Sequence, residues 1–497
     1  MHSVRAFFPR VLALLGLLAL PASADHPRDF RTALDGLRAN KLGVVDKVFL
    51  KNASRAGSDR LLALYELGEF YHLAGDTKKS IGFFNTADAV AKDYEGQAVV
   101  SAGATGRTAG AILANESVMK YEGFGYDKVM SRTTNAINFL LLGDLEGARV
   151  ELRKAEEYQR LERERHQREV SRAGARQPAG AENARVDNPA VQASYGRMFD
   201  HVKNVRNSFE NAFTYYLSSQ IHQVRGEAGL NDAMVEIRRA FELAPRAPGV
   251  RAAYLEIARA QSDSAFEEAR TRLGMPDAQP VSNPAGTGSV VVVFETGLVP
   301  QMDEVKINLF ADNKLYGLAF PIYNDFGAPQ APLTILAPDR THMTSTILET
   351  RTLAVKALQE RMPGILTRGL LGAIAKGEVQ QQAEKNFGPL GGLLSKVTSA
   401  ALTSADRRSW LSLPAEVQVA KFNLAAGPNR LELRAPGLAD SVALDVAPGS
   451  HSFLLVRAFP GFKRIDVRTF QPGDEDFPAP RALPAPIQAA APAANLQ

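Results

Sequence analysis

The sequence predicts an α+β multidomain protein. An N-terminal α-helical tetratricopeptide-like repeat domain is followed by a C-terminal antiparallel β-sandwich-like domain with a helical insertion. From residue 25 to about residue 274, apolar residues recur every three or four positions, which is the period of amphipathic helices. From residue 286 onward, alternating and β-branched runs flank a further helical stretch. A chain of 497 residues is also too long for one compact core, so several domains are expected.

The first 24 residues have the pattern of a secretory signal peptide. Two arginines precede an apolar run at 11–20, and Ala22, Ser23 and Ala24 form a small-residue cleavage site. We expect cleavage between Ala24 and Asp25, and therefore a periplasmic or secreted protein. Because the chain has no cysteine, the sequence also predicts no disulfides and no lipid anchor of the lipoprotein type.

Three helix-turn-helix segments account for the predicted repeats. Their turns lie at Gly75 and Asp76, at Gly143 and Asp144, and at residues 226–229. Each turn precedes a helix with small and large apolar residues at a similar spacing, in units of about 34 residues. Small residues let paired helices approach closely, so tetratricopeptide-like repeats are predicted. A non-repetitive helical bundle is the alternative.

Dense mixed charge follows the second turn, at 149–170, and leads into a stretch rich in Gly, Pro and Asn. This pattern predicts a solvated helix that runs into a mobile loop. A basic patch for an anionic partner is the alternative. Five glutamates argue against that patch by neutralising it: Glu151, Glu156, Glu157, Glu162 and Glu164.

A linker at 282–288 separates the helical region from the strands. Strands are predicted before residue 323 and after Trp410. Strands from both stretches are expected to pack around one common core, and two separate small sheets are the alternative. A turn at 426–429 predicts a hairpin. The predicted boundaries are 1–24 for the signal peptide, 25–275 for the helical domain, 286–345 and 409–471 for the two β parts, 346–408 for the insertion and 472–497 for a disordered Pro/Ala-rich tail.

The insertion is predicted as an apolar helical hairpin. Its two helices cover 345–376, interrupted by Pro363, and 387–401, introduced by Gly388 and Pro389. Packing on the chain's own β-domain is the favoured interpretation. Contact with a membrane surface or a partner through residues 364–402 is the alternative.

No catalytic residue, cofactor or metal site is predicted, so we expect a protein that is not an enzyme. The glycines at 286 and 288 precede a strand, whereas a phosphate-binding loop follows one. The eight histidines lack the spacing of a zinc-hydrolase helix. The formal net charge is only +4 and the sequence has no basic cluster, so nucleic-acid binding is not predicted.

The candidate partner-binding residues are aromatic. Tyr71 and Phe84 belong to the first helical repeat, and Trp410 is the only tryptophan of the chain. Trp410 joins the insertion to a strand beside two arginines. A structural anchor is the favoured interpretation of that position, and a binding hot spot is the alternative.

Three segments carry a family resemblance: the strand 290–295 with the residues 297–300 that follow it, the segment 319–323, and above all 406–418. They resemble an uncharacterised family of bacterial envelope proteins with tetratricopeptide-like helices, which are usually lipoproteins. Some members are encoded near an activator of penicillin-binding proteins. This chain departs from the family pattern because it has no cysteine to lipidate.

The helical repeats, the signal peptide and the resemblance together predict a non-enzymatic periplasmic scaffold or adaptor that binds protein partners in envelope or cell-wall assembly. Its partners would be envelope proteins, including cell-wall synthesis or outer-membrane assembly components. A membrane-associated subunit of an export or surface-structure apparatus is one alternative. An envelope hydrolase or glycan-binding protein is the other.

Overall fold

The computed structural model describes residues 26–101, 119–172, 182–279, 285–311, 314–400 and 404–471, with the backbone alone at 98–101, 169–172 and 376–400. The predicted signal peptide with its cleavage site at Ala24 and Asp25, and the predicted tail at 472–497, lie outside these residues. The described chain is mixed helix and sheet, with helices in its N-terminal half and the sheets in its C-terminal half.

Helices that pack mainly on their neighbours in sequence form the N-terminal half. They are α1 (His26–Arg38), α2 (Leu42–Ala53), α3 (Arg60–Leu73), α4 (Thr77–Ser101), α5 (Gly125–Leu142), α6 (Leu145–Arg172), α7 (Pro189–His201), α8 (Ala212–Gln223), α9 (Leu230–Leu243), α10 (Pro248–Gln261) and α11 (Asp263–Leu273). The three predicted turns are confirmed, since they separate α3 from α4, α5 from α6, and α8 from α9. Gly75 (φ 84°) and Gly143 (φ 80°) take the left-handed backbone that glycine adopts without strain.

Close packing of α3 on α4 depends on one glycine. A Cβ on Gly68 would lie 2.7 Å from Cε1 of Phe84, whose ring is fully buried. The hydroxyl of Ser80 also donates to the carbonyl of Gly68 over 2.7 Å. These contacts explain why a small residue is needed at this point of the pair.

The C-terminal half contains β1 (Thr287–Thr296), β2 (Asp303–Ala311), β3 (Lys314–Ile322), β4 (Thr334–Leu336), β5 (Thr341–Met343), β6 (Ser345–Leu348), α12 (Thr350–Ala400), β7 (Glu416–Ala425), β8 (Gly427–Ala435), β9 (Leu438–Val446), β10 (His451–Phe459) and β11 (Phe462–Phe470). A five-stranded sheet has the order β11-β10-β1-β7-β6, and a four-stranded sheet has the order β5-β4-β8-β9. Strands β2 and β3 pair with each other. Strands from both predicted β stretches therefore share the two larger sheets.

Strand β1 is central to the larger sheet and is buried on both faces. Val290 and Val292 contact the four-stranded sheet, while Val291 and Val293 contact the core that extends into the helices. The prediction of an antiparallel arrangement needs correction here, because β1 pairs in parallel with β10. A strand covered on both faces is continuously apolar, so its sequence does not show the direction of its neighbour.

The predicted insertion also needs correction. The insertion is one continuous helix, α12, which runs through Pro363 and Pro389, and not the predicted hairpin of two helices. It begins only at Thr350, because residues 345–348 form the edge strand β6. Proline costs roughly 3 kcal/mol inside a helix. Burial of the neighbouring Met362 and Leu366 offsets that cost. The first half of α12 packs on β3, where Gly369 lies against Phe320, and this packing confirms the favoured interpretation for its described side chains.

Two predicted connections differ as well. The turn at 426–429 does not join a hairpin, because β7 and β8 belong to different sheets and the chain passes from one sheet to the other at Ala426. The linker predicted at 282–288 overlaps strand β1, which already begins at Thr287. Gly288 lies inside that strand, where a Cβ would come within 2.6 Å of Ser450 Oγ.

Buried charged groups line the contact between the helices and the larger sheet. Arg457 of β10 donates to the carbonyls of Gly297 over 2.7 Å and Ser412 over 3.2 Å. Burial raises the pKa of Glu69 on α3 and of Glu295 on β1. Burial also lowers the pKa of His72 to about 4, with a further contribution from Arg464. His72 is therefore neutral in the folded protein at neutral pH.

Replacing Gly68 with alanine should destabilise the protein by about 1–3 kcal/mol, because the new methyl group overpacks a core that cannot relax. The matched control is Gly96→Ala in α4, an exposed site with no atom within 4 Å of the added Cβ. There the change should stabilise by about 0.5–1 kcal/mol. Urea unfolding measures both values. A Gly68→Ala variant as stable as the wild type would contradict the packing described for α3 and α4.

His72 should make stability fall as pH decreases from 6.5 to about 4. In this window the imidazole is protonated in the unfolded chain but stays neutral in the folded chain. This difference lowers the free energy of unfolding by up to about 3 kcal/mol. Replacement by asparagine, whose amide can replace the 2.7 Å hydrogen bond from Nδ1 to Asn138, should remove this part of the pH dependence. Urea unfolding of both proteins at several pH values tests this. His222 and His451 are present in both proteins, so their contributions cancel.

Candidate functional site

The three aromatic residues proposed from the sequence lie inside the core. Tyr71 is 3% exposed, and Phe84 and Trp410 are fully buried. The Trp410 ring stacks on Tyr65 at 4.8 Å and meets Phe84 at 5.8 Å. All three side chains thus pack inside the fold, and their role in partner binding stays a prediction. Phe84 and Trp410 contact each other, as the anchor interpretation of Trp410 requires.

A charged cleft lies farther along the helices and is the candidate functional site. Its volume is about 570 Å³. Helices α6, α8 and α9 and the loop before α8 enclose it. Its lining contains five arginines, four glutamates, one tyrosine and one leucine: Arg153, Glu156, Glu157, Arg160, Arg163, Arg206, Glu210, Tyr215, Arg239, Glu242 and Leu243.

Helix α6 supplies nearly half of this lining from the mixed-charge segment seen in the sequence. Arg153, Glu156, Glu157, Arg160 and Arg163 are spaced by three, four, seven and ten residues from the first, so they share one side of the helix. The remaining lining residues come from 206–243 and had no signal of their own in the sequence. The fold brings them to α6 by packing α8 beside it.

Two of the glutamates expected to neutralise this segment point away from the cleft. Glu151 accepts a 2.8 Å hydrogen bond from the fully buried Arg132, and Glu162 accepts a 3.1 Å bond from the buried Lys128. Their side chains are 4% and 11% exposed. Both carboxylates therefore neutralise cations of the core and contribute little to the charge of the cleft.

Glu156 lines one wall of the cleft, and Glu236 is its buried neighbour. Burial raises the pKa of Glu236 well above its usual range, and the adjacent Glu156 raises it further. Burial likewise raises the pKa of Glu156. Two neighbouring carboxyl groups cannot both ionise at low cost, so a charge on Glu156 disfavours ionisation of Glu236. Arg239 donates to Glu156 over 2.9 Å and to Glu236 over 3.4 Å.

The opposite wall is held by Glu210. Its carboxylate accepts hydrogen bonds from Arg163 over 2.9 Å and from Asn207 over 2.6 Å. Tyr215 lies between the two walls, below the guanidinium of Arg239 at 5.6 Å, and its pKa is raised by burial to about 12. The more buried polar groups of the cleft are thus largely paired with each other, while its rim is charged and open to solvent.

The carboxyl groups of Glu156 and Glu236 both accept a hydrogen bond from Arg239, so the three side chains form one charged cluster. Among the described residues, no three His, Asp or Glu side chains converge as metal ligands would.

No family model, curated protein or solved structure matches the chain. None of the helices in the described segments is long and apolar enough to cross a bilayer.

Replacing Glu236 with glutamine should remove an unfavourable dependence of stability on pH. The folded pKa of this acid is raised, so its stabilising contribution is complete below the unfolded pKa and is lost as pH rises through the folded pKa. Each unit of that shift corresponds to about 1.4 kcal/mol. Glutamine stays neutral and can still donate to Glu156.

We therefore expect the free energy of unfolding of Glu236→Gln, relative to the wild type, to increase between pH 4.5 and pH 8 in urea titrations. The control is Glu268→Gln, whose carboxylate is 57% exposed and paired with Arg238; it should show a small and nearly constant difference. A flat difference for Glu236→Gln as well would show that its carboxyl ionises normally in the fold.

Proposed function

We propose that this protein is an exported, non-enzymatic scaffold or adaptor that binds protein partners in assembly of the bacterial envelope or cell wall. In this proposal, tetratricopeptide-like helix pairs and a sandwich-like sheet domain form the frame, and the cleft of α6, α8 and α9 receives the partner. The cleft is the observation that carries the proposal. The signal-type N-terminus and the family resemblance supply the expected compartment.

The position of the cleft supports this role. Residues 408–413 of the same chain occupy the aromatic surface of α3 and α4, which would be the first choice for an apolar partner. The cleft remains open, and the side chains of Arg153, Arg160 and Glu157 on its rim are 56–64% exposed. Exposed charges at an interface speed encounter and select partners. A partner would thus be recognised there through polar contacts.

Glycan binding is the second candidate, and the paired carboxyl groups in an open polar cleft favour it. Sugar-binding sites usually offer an aromatic face for stacking as well. Tyr215 is only 6% exposed and its ring is covered by Arg239. The protein-binding proposal therefore has the stronger support.

Site-specific photo-crosslinking in intact cells tests the proposal. A photoreactive residue at Glu157, 63% exposed at the rim, should capture one or a few envelope proteins. The matched control carries the same residue at Glu432 of β8, 51% exposed and remote from the cleft. Mass spectrometry should find the captured proteins only at position 157. The proposal fails if position 157 yields nothing above the background of position 432.

A further inference from the structure

We propose that the cleft of α6, α8 and α9 recognises an acidic, extended peptide segment of its partner. This inference rests on the proposed function and names the chemistry of the segment that is bound. It depends on which charges of the cleft remain available to a ligand.

The more buried carboxylates around the cleft already accept hydrogen bonds from other side chains of the protein. Glu151 and Glu162 pair with buried cations behind α6, and Glu210 accepts hydrogen bonds from Arg163 and Asn207. Glu156 accepts a 2.9 Å hydrogen bond from Arg239, which also donates to Glu236 over 3.4 Å. These groups therefore oppose an approaching anion much less than their number suggests.

The arginines of the rim are the most available charges. The side chains of Arg153, Arg160 and Arg206 are 64%, 56% and 77% exposed. Arg153 reaches Glu146 only at 3.4 Å, and Arg206 reaches Glu210 only at 3.8 Å. Arg160 binds Glu164 with one terminal nitrogen at 2.6 Å, and its other terminal nitrogen reaches Glu157 only at 3.8 Å.

Exposed pairs of this kind contribute little to stability, so a ligand can replace them at low cost. The planar guanidinium group also matches a carboxylate with two parallel hydrogen bonds. Several such groups around one cleft suit a ligand that carries several carboxylates.

A peptide fits the lining better than a polyphosphate does. Glu157 and Glu242 stand among the rim arginines as exposed acceptors. Backbone N–H groups of an extended peptide can donate to them, whereas a polyphosphate has no donors and would be repelled. The volume of about 570 Å³ lies within the range of small-ligand sites, so it encloses a short segment and not a folded domain.

Fluorescence anisotropy with the full chain tests the inference. The probes are labelled deca-glutamate and deca-lysine peptides, with unlabelled polyphosphate as competitor. The wild type should bind deca-glutamate, and more weakly as salt is raised. The double variant Arg153→Glu with Arg160→Glu should lose at least tenfold in affinity. The control Arg340→Glu with Arg434→Glu removes arginines that are 68% and 63% exposed elsewhere, and should stay within twofold.

Equal loss in both double variants, preference for deca-lysine, or tighter binding of polyphosphate would each overturn the inference. Circular dichroism of the variants establishes that they fold. The crosslinking experiment separates the two proposals. Capture at position 157 without deca-glutamate binding leaves the adaptor function in place and refutes the acidic segment. Deca-glutamate binding without any capture supports the anion site and refutes the adaptor.

Discussion

The structure depends on the insertion of Trp410 between the first helices and the larger sheet. Its ring stacks on Tyr65, and its indole N–H donates to Ser412 over 2.8 Å. The next amide, of Leu411, donates to Glu66 on α3, and Arg408 binds Asp59 at 2.7 Å. A buried aromatic residue whose polar edge is satisfied stabilises a contact and fixes its geometry. These bonds hold the helices over one face of β1 and β10, so the two halves share a continuous core.

This arrangement bears on the proposed binding of a partner. Residues 408–413 of the chain itself cover the aromatic surface of α3 and α4. An open cleft lies instead at α6, α8 and α9, where most of the lining residues are charged. Affinity at such a site depends on ionic strength more than affinity at an apolar groove does, since exposed charges are screened by salt. The same internal docking that stabilises the fold therefore changes the chemistry left for recognition.

Local signals predicted much of the fold. Gly75 and Gly143 marked turns because their backbone requires glycine, and the valine run of β1 marked a buried strand. Long-range pairing could not be predicted in this way. The parallel register of β1 with β10 joins residues more than 150 positions apart, and the change of sheet at Ala426 looks locally like a hairpin. Helix α12 continues through Pro363 because it packs against β3, and the helix propensities of the local residues do not predict that packing.

The charge of α6 shows what closer use of helical geometry adds. At about 100° per residue, Glu151 and Glu162 are separated by eleven residues and fall within about 20° of each other. Arg153 and Arg160 then stand roughly opposite, at about 160–200° from Glu151. A segment that looks neutral as a string is therefore partly divided by face: Glu151 and Glu162 neutralise Arg132 and Lys128 in the core, whereas the face toward the cleft carries three arginines and two glutamates. Counting charges along the chain conceals this division, whereas projecting them on the helix reveals it. The buried cations are a reason for this division, because an uncompensated Arg132 or Lys128 would cost several kcal/mol and the inner face of α6 supplies a carboxylate to each of them.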